Sequence, residues 1–128
     1  MDEFREYWGT KLVEAAPRAK DGKDGYAVRY ADGYESWSPK DVFEAAYQPT
    51  NAMSFGHALM VLKNGGNVCR AGWNGKGQYL GLQIPDSHSA NTLPYVWIMT
   101  VDGKRVPWLA SQTDMLANDW ERRIVFPT

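Results

Sequence analysis

VPWLASQTDMLANDW, Val106 to Trp120, carries two tryptophans with a helix start between them. Ser111 followed three residues later by Asp114 is a capping box. The Ser111 hydroxyl and the Asp114 carboxylate are expected to satisfy backbone N–H groups that the first turn cannot pair. Spare N–H donors beside an indole plane suit a ligand that has both an anion and a flat ring. A second stretch, CRAGWNGKGQYL from Cys69 to Leu80, reads the same way, because Trp73 runs into the tight, amide-rich turn Asn74-Gly75-Lys76-Gly77 with one cation. The two stretches read as two walls of one site.

Outward from these walls the chain alternates strand and turn signals. Asn67 to Trp73 and Gln78 to Pro85 form a hairpin, and Asp86 to Pro94 is a polar loop long enough to cover a site. Tyr95 to Val101 is strongly β-prone, and Asp102-Gly103 turns it back into Lys104 to Leu109. WERRIVF, from Trp120, is expected to be a final strand. Upstream, Phe55, Ala58, Leu59 and Leu62 fall at i, i+3, i+4 and i+7, the seam of a helix that starts near Ser54 and is stopped by Asn64-Gly65-Gly66.

The first fifty residues read differently. Residues 1–9 show no clear period, and TKLVEAAP suits strand or helix until Pro17 ends it. RAKDGKDG is a polar loop. Tyr26 to Tyr30 and Tyr34 to Trp37 make a hairpin about Asp32-Gly33. Ser38-Pro39-Lys40-Asp41 opens a short helix with Ser38 as N-cap and Pro39 at the first helical position. Pro49-Thr50-Asn51 breaks that helix and marks the internal boundary, so the expected units are 1–50 and 51–128. The expected fold class is α+β, antiparallel β-hairpins with about three short helices in a compact small domain.

Composition bounds the function classes. The chain has 128 residues, 44% hydrophobic and 13% aromatic with six tryptophans, which points to a dense small core or stacking surfaces. A formal net charge of −1 argues against a general binder of nucleic-acid polymers, which needs a basic surface. It leaves room for a small phosphate ligand. Cys69 is the single cysteine, so neither an internal disulfide nor a cysteine zinc site is expected. With no apolar run long enough to cross a bilayer and no leader pattern in MDEFREYWG, a soluble intracellular protein is expected.

The motifs MSFGHALMVLKNG, RAGWNGKGQYL and PWLASQTDMLANDW resemble one small phage family, DUF2829, whose studied members are the Thoeris anti-defence two proteins. The resemblance covers roughly residues 53–126. The stretch before it, GYAVRYADGYESWSPKDVFEAAYQP, looks like a separate module of phage proteins with no activity attached. The resemblance implies a sponge in the host bacterial cytoplasm. Such a protein binds cyclic ADP-ribose isomers made by bacterial immune enzymes, and in some members cyclic di- or trinucleotides, without cleaving them. It also implies a homo-oligomer, typically a tetramer, with no cofactor, metal or catalytic residue. Trp73, Asn74, Gly75, Trp108, Ser111, Gln112, Thr113 and Asp114 match the family pattern.

Such a ligand needs an aromatic plate for adenine, donors and a cation for pyrophosphate, and bidentate groups for the riboses. Trp73 and Trp108, with Tyr79 behind them, suit the first. The Gly75 and Gly77 amides, Lys76, Arg70 and the N–H groups of Gln112 and Thr113 suit the second; Asn74, Gln112 or Asp114 suit the third. Plainer readings stand beside these. Ser111 and Asp114 can simply cap their helix, Trp108 and Trp120 can be core, and Asn74-Gly75 is also an ordinary type I′ turn. An enzyme using His57 or His88 with Asp114 or Asp119, and a structural or protein-binding phage module, are the competing functions.

Overall fold

The computed structural model describes residues 1–73 and 77–125. The expected turn residues Asn74, Gly75 and Lys76 and the end of the last strand, Phe126, lie outside the described residues. The chain is α+β and divides into two compact units, Met1–Tyr47 and Gln48–Thr128.

In the first unit β1 (Glu14–Pro17), β2 (Gly25–Arg29) and β3 (Glu35–Pro39) form an antiparallel sheet with β2 central, followed by α1 (Lys40–Ala46). TKLVEAAP thus resolves as strand, because its second half finds β2 as a partner, Ala15 opposite Val28. The polar stretch before β2 is a tight turn. Lys20 and Lys23 exchange both backbone hydrogen bonds around Asp21 and Gly22, whose φ values of 51° and 76° suit a type I′ turn. Ser38 is not the α1 cap. Pro39 takes that place with ψ 147° because it still pairs with Gly25 as the last residue of β3, and the Ser38 hydroxyl donates to the Pro39 carbonyl instead. Only Ala27 and Val28 are buried apolar side chains here; the rest of the packing is aromatic. Phe43 stacks on Tyr26 at 4.3 Å and on Tyr47 at 4.8 Å, and Tyr26 donates its hydroxyl to Glu44 at 2.6 Å.

The second unit is built on a five-stranded antiparallel sheet in the order β7-β6-β5-β4-β8. Its strands are β4 (Asn67–Arg70), β5 (Tyr79–Gln83), β6 (Tyr95–Met99), β7 (Arg105–Pro107) and β8 (Trp120–Arg123). Alternation decides its faces. Leu80 and Leu82 of β5, opposite Ile98 and Val96 of β6, point with Val68 toward α2 (Phe55–Lys63). Tyr79, Gly81, Trp97 and Cys69 point the other way. The expected seam holds: Ala58 and Leu62 are buried, and Phe55 and Leu59 pack against the same cluster with Met53 and Trp120. Each fully buried Leu or Val contributes about 1.5–3 kcal/mol.

Both ends of α2 are chemically defined. The Ser54 hydroxyl accepts from the His57 N–H. At the other end the Gly65 and Gly66 amides donate to the Leu62 and Val61 carbonyls, with Gly65 at φ 88°, a Schellman stop. Met53 and Trp120 exchange backbone hydrogen bonds of 2.7 and 3.1 Å, so the free edge of β8 is covered by the chain entering α2. After β7 the chain crosses the α2 side of the sheet through residues 108–111 to α3 (Gln112–Leu116) and then enters β8.

Candidate functional site

Two places in the second unit gather chemistry-bearing side chains. The first is the meeting point of the two walls. Arg70, at the end of β4, lies between two carboxylates: its Nε donates to Asp119 at 2.8 Å and its Nη1 to Asp114 at 2.8 Å. The same Asp114 oxygen accepts from the Trp73 indole N–H at 3.2 Å, and the second Asp119 oxygen accepts the Gly72 amide at 2.8 Å. The rings of Trp73, Trp108 and Trp120 meet edge-on at 5.3–6.4 Å, with Phe55 tilted against Trp108 and Trp120.

Ser111 caps α3 as expected, its hydroxyl accepting from the Asp114 N–H at 3.0 Å. The other half of the capping box is not made. The Asp114 carboxylate turns to Arg70 and Trp73, while the Trp120 indole donates to the Asp114 carbonyl at 2.9 Å. Burial alone would raise the Asp114 carboxyl, but hydrogen bonds from Arg70 and Trp73 outweigh it and hold the group below the usual carboxylate range. Asp119 is held low first by Arg70, against some desolvation, and then by the Gly72 amide. The same two carboxylates push the Arg70 guanidinium still higher.

Arg70, Trp73, Trp108, Ser111 and Asp114 are therefore brought together, but as a braced and largely covered cluster. The side chains of Arg70 and Asp114 are only 17% and 16% exposed. Gln112 and Thr113 are exposed on α3, which is a single turn and adds little aligned dipole. Gly77 is exposed at φ 85°, a turn conformation. Asn74, Gly75 and Lys76 lie outside the described residues.

Tyr79 does not stand behind Trp73 and Trp108. It faces the opposite side of the sheet and belongs to the second place, an open groove of about 290 Å³. Gly65, Gly66 and Asn67 line one end, and Tyr79, Gly81, Gln83, Trp97 and Arg105 form its body. The floor exists because residue 81 has no side chain. A Cβ there would lie 2.2 Å from the Trp97 ring, so the indole lies flat on the glycine of the neighbouring strand and is 7% exposed. The Arg105 guanidinium sits 4.2 Å from the Trp97 ring centroid, and that of Arg123 sits 4.9 Å from Tyr79. Tyr79 meets Trp97 edge-on at 5.8 Å.

Trp97, Arg105, Arg123 and Gln83 were not among the sequence candidates. Their signal was period-two alternation. YLGLQ and YVWIM each place their first, third and fifth residues on one face, and antiparallel pairing of the two strands aligns Gly81 with Trp97. Among the described residues no group of three or more His, Cys, Asp or Glu is placed to hold a metal ion. His57 is half-buried on α2 and His88 exposed in the 86–94 loop. None of the helices described is long and apolar enough to cross a membrane.

Fold and site define a small antiparallel α+β domain with a braced tryptophan cluster on one side of its sheet and an aromatic–arginine groove on the other. Residues 53–122 match the family described as Thoeris anti-defense 2-like domain, and the chain belongs to that family. It is also 42% identical over 82 residues to Thoeris anti-defense 2 of Bacillus phage SP01, an alignment covering 54% of this chain and 92% of the relative. The match places the protein broadly among phage anti-defence proteins. It begins after the first unit, whose sheet and helix lie outside it.

Proposed function

We propose that this protein acts in the phage-infected host by binding and sequestering cyclic nucleotide immune signals without cleaving them. Cyclic ADP-ribose isomers are the first candidates, and cyclic di- or trinucleotides the second. The reading rests on the family, which is named for defeating a defence system. The observation that carries it is the groove, whose tyrosine, tryptophan and arginine are the side chains that a flat base and a phosphate require. A sponge must outcompete the signal's receptor, so a nanomolar Kd is expected, near −12 kcal/mol. Self-association belongs to the same proposal: Leu109 and Leu116 are 92% and 78% exposed around α3, apolar surface that a second copy would cover.

Isothermal titration of the purified chain with cyclic ADP-ribose isomers and cyclic dinucleotides tests this. A saturable, stoichiometric heat at nanomolar to low-micromolar affinity for at least one of them is expected. A flat trace for all of them removes the proposal. Sedimentation at micromolar concentration tests self-association; a monomer would refute that part.

A further inference from the structure

Residues 1–9, MDEFREYWG, and the helix-free face of the first sheet are, we propose, two halves of one contact, in which the arm of one copy lies on the sheet of a second copy. Both halves belong to the first unit, outside the residues 53–122 that match the family, and neither needs a bound nucleotide. This unit has reason to be covered. Its buried apolar side chains are Ala27 and Val28, a thin core for the stretch Met1–Tyr47. Yet Phe4 and Tyr7 are 95% and 87% exposed, and Trp8 is fully exposed.

Period two assigns the faces of the sheet. Tyr26 and Val28 of β2 point to the α1 side, where Phe43 stacks on Tyr26. Gly25, Ala27 and Arg29 point the other way, and the register brings Glu14, Ala16, Glu35 and Trp37 to that side with them. Trp37 lies flat there: a Cβ on Gly25 would run into its ring, and its indole N–H donates to the Arg18 carbonyl at 2.7 Å. Beyond Arg18 and Gly25 the hairpin pairs Lys20 with Lys23, so Arg18, Lys20 and Lys23 share this face with the indole. The Lys20 ammonium is 5.7 Å from the centroid of the Trp37 ring. None of these three cations has a carboxylate partner among the described residues, where the ion pairs of this unit are made by Arg5 and Arg29.

The arm complements this face in pattern and in sign. Glu3 and Arg5 meet at 3.5 Å, an i, i+2 pair, the spacing that an extended chain places on one side. The opposite side then carries Asp2, Phe4, Glu6 and Trp8, two carboxylates alternating with two aromatics. Aromatic side chains set against Trp37, and carboxylates against Arg18, Lys20 and Lys23, are the match. A second copy supplies the arm, because the chain leading into β1 is held away from its own face. The Lys11 ammonium lies 4.6 Å from the centroid of the Tyr30 ring, and Tyr30 belongs to the α1 side, its hydroxyl 3.3 Å from that of Ser36. Each copy offers one arm and one face, so the exchange is reciprocal and closes as a twofold dimer.

Sedimentation velocity of the full chain over a concentration series tests this, with circular dichroism checking each fold. Asp2→Lys with Glu6→Lys reverses the arm, and Lys20→Glu with Lys23→Glu reverses the face. Each double variant alone sets like charges together and should weaken association roughly 10- to 100-fold. An equal mixture of the two should recover it, since both reciprocal contacts of the mixed dimer again join opposite charges. Trp8→Ser, in a stretch that belongs to no strand or helix, should weaken association about tenfold with dichroism unchanged. Added salt should weaken it as well, which an apolar contact through Leu109 and Leu116 would resist. Variants that all sediment as wild type overturn the contact and leave the sequestration reading standing. Variants that weaken association but do not recover it on mixing overturn the exchange between copies.

Discussion

Replacing Arg70 by methionine separates scaffold from site. Met keeps the length and apolar stem of the side chain and removes the guanidinium. Lost are two charge-assisted hydrogen bonds of 2.8 Å and one longer contact of 3.4 Å to Asp119. Removing one partner of a fully buried pair costs about 3–5 kcal/mol, because it strands the remaining charge. Here Asp119 is 34% exposed and keeps the Gly72 amide, and Asp114 keeps the Trp73 indole N–H, so part of the penalty is relieved. The expected loss is about 2–3 kcal/mol, or roughly 10–20 °C in Tm for a domain of this size.

Urea unfolding followed by tryptophan fluorescence measures it, since four of the six tryptophans lie in this unit. The pH dependence supplies a sharper check. Without the guanidinium the two carboxylates titrate nearer their ordinary range and become neutral as pH falls below about 4, so the deficit should shrink between pH 7 and pH 3. A loss under ~0.5 kcal/mol at pH 7, or one that does not vary with pH, would refute the brace.

Three further outcomes are expected. Gly81→Ala forces a Cβ to within 2.2 Å of the Trp97 ring, and lifting the indole should cost about 1–3 kcal/mol and empty the groove of its floor; an unchanged urea midpoint would contradict that packing. Wild-type stability should fall with acid: Asp114 and Asp119 are held below their unfolded range, so their contribution is full above about pH 4 and is lost as pH drops through the folded values. Urea midpoints between pH 2 and 6 read this, and a flat profile would oppose it. Cys69 has its thiol pushed up, first by burial and then by the Glu121 carboxylate it donates to. At pH 8 iodoacetamide should therefore modify the native chain several-fold more slowly than the urea-unfolded chain, and equal rates would deny the shift.

Most of the fold was legible because its signals are local. The Phe55–Leu62 seam, the Ser54 cap and the Gly65-Gly66 stop are short-range chemistry and needed no partner. The same holds for the Asp32-Gly33 and Asp102-Gly103 turns, with Gly33 and Gly103 at φ 88° and 81°. What escaped was decided by partners distant in sequence. TKLVEAAP has no strong period of its own and becomes β1 through β2. Pro39 stays extended because Gly25 pairs with it, which moves the start of α1 past the Ser38 signal.

The site divides along the same line. Trp73, Trp108, Ser111 and Asp114 do meet, as the motifs suggested, yet Arg70 reaches Asp114 and Asp119 across 44 and 49 residues and turns the meeting point inward. Tyr79 was a correct neighbour of Trp73 in sequence only. Parity along β5 sends it to the other face, and the groove it joins includes Arg105 and Trp97 from two other strands. Reading faces by period two would have assembled that groove, but only once the β5–β6 register was fixed.

Capture and release of the ligand tests the central claim most directly. The chain is incubated with cyclic ADP-ribose isomers, freed of unbound nucleotide, heat-denatured, and the supernatant separated by chromatography and weighed by mass spectrometry. Sequestration predicts intact cyclic nucleotide, returned in stoichiometric amount and unchanged by long incubation. A linear or hydrolysed product growing with time would contradict it and make the protein an enzyme.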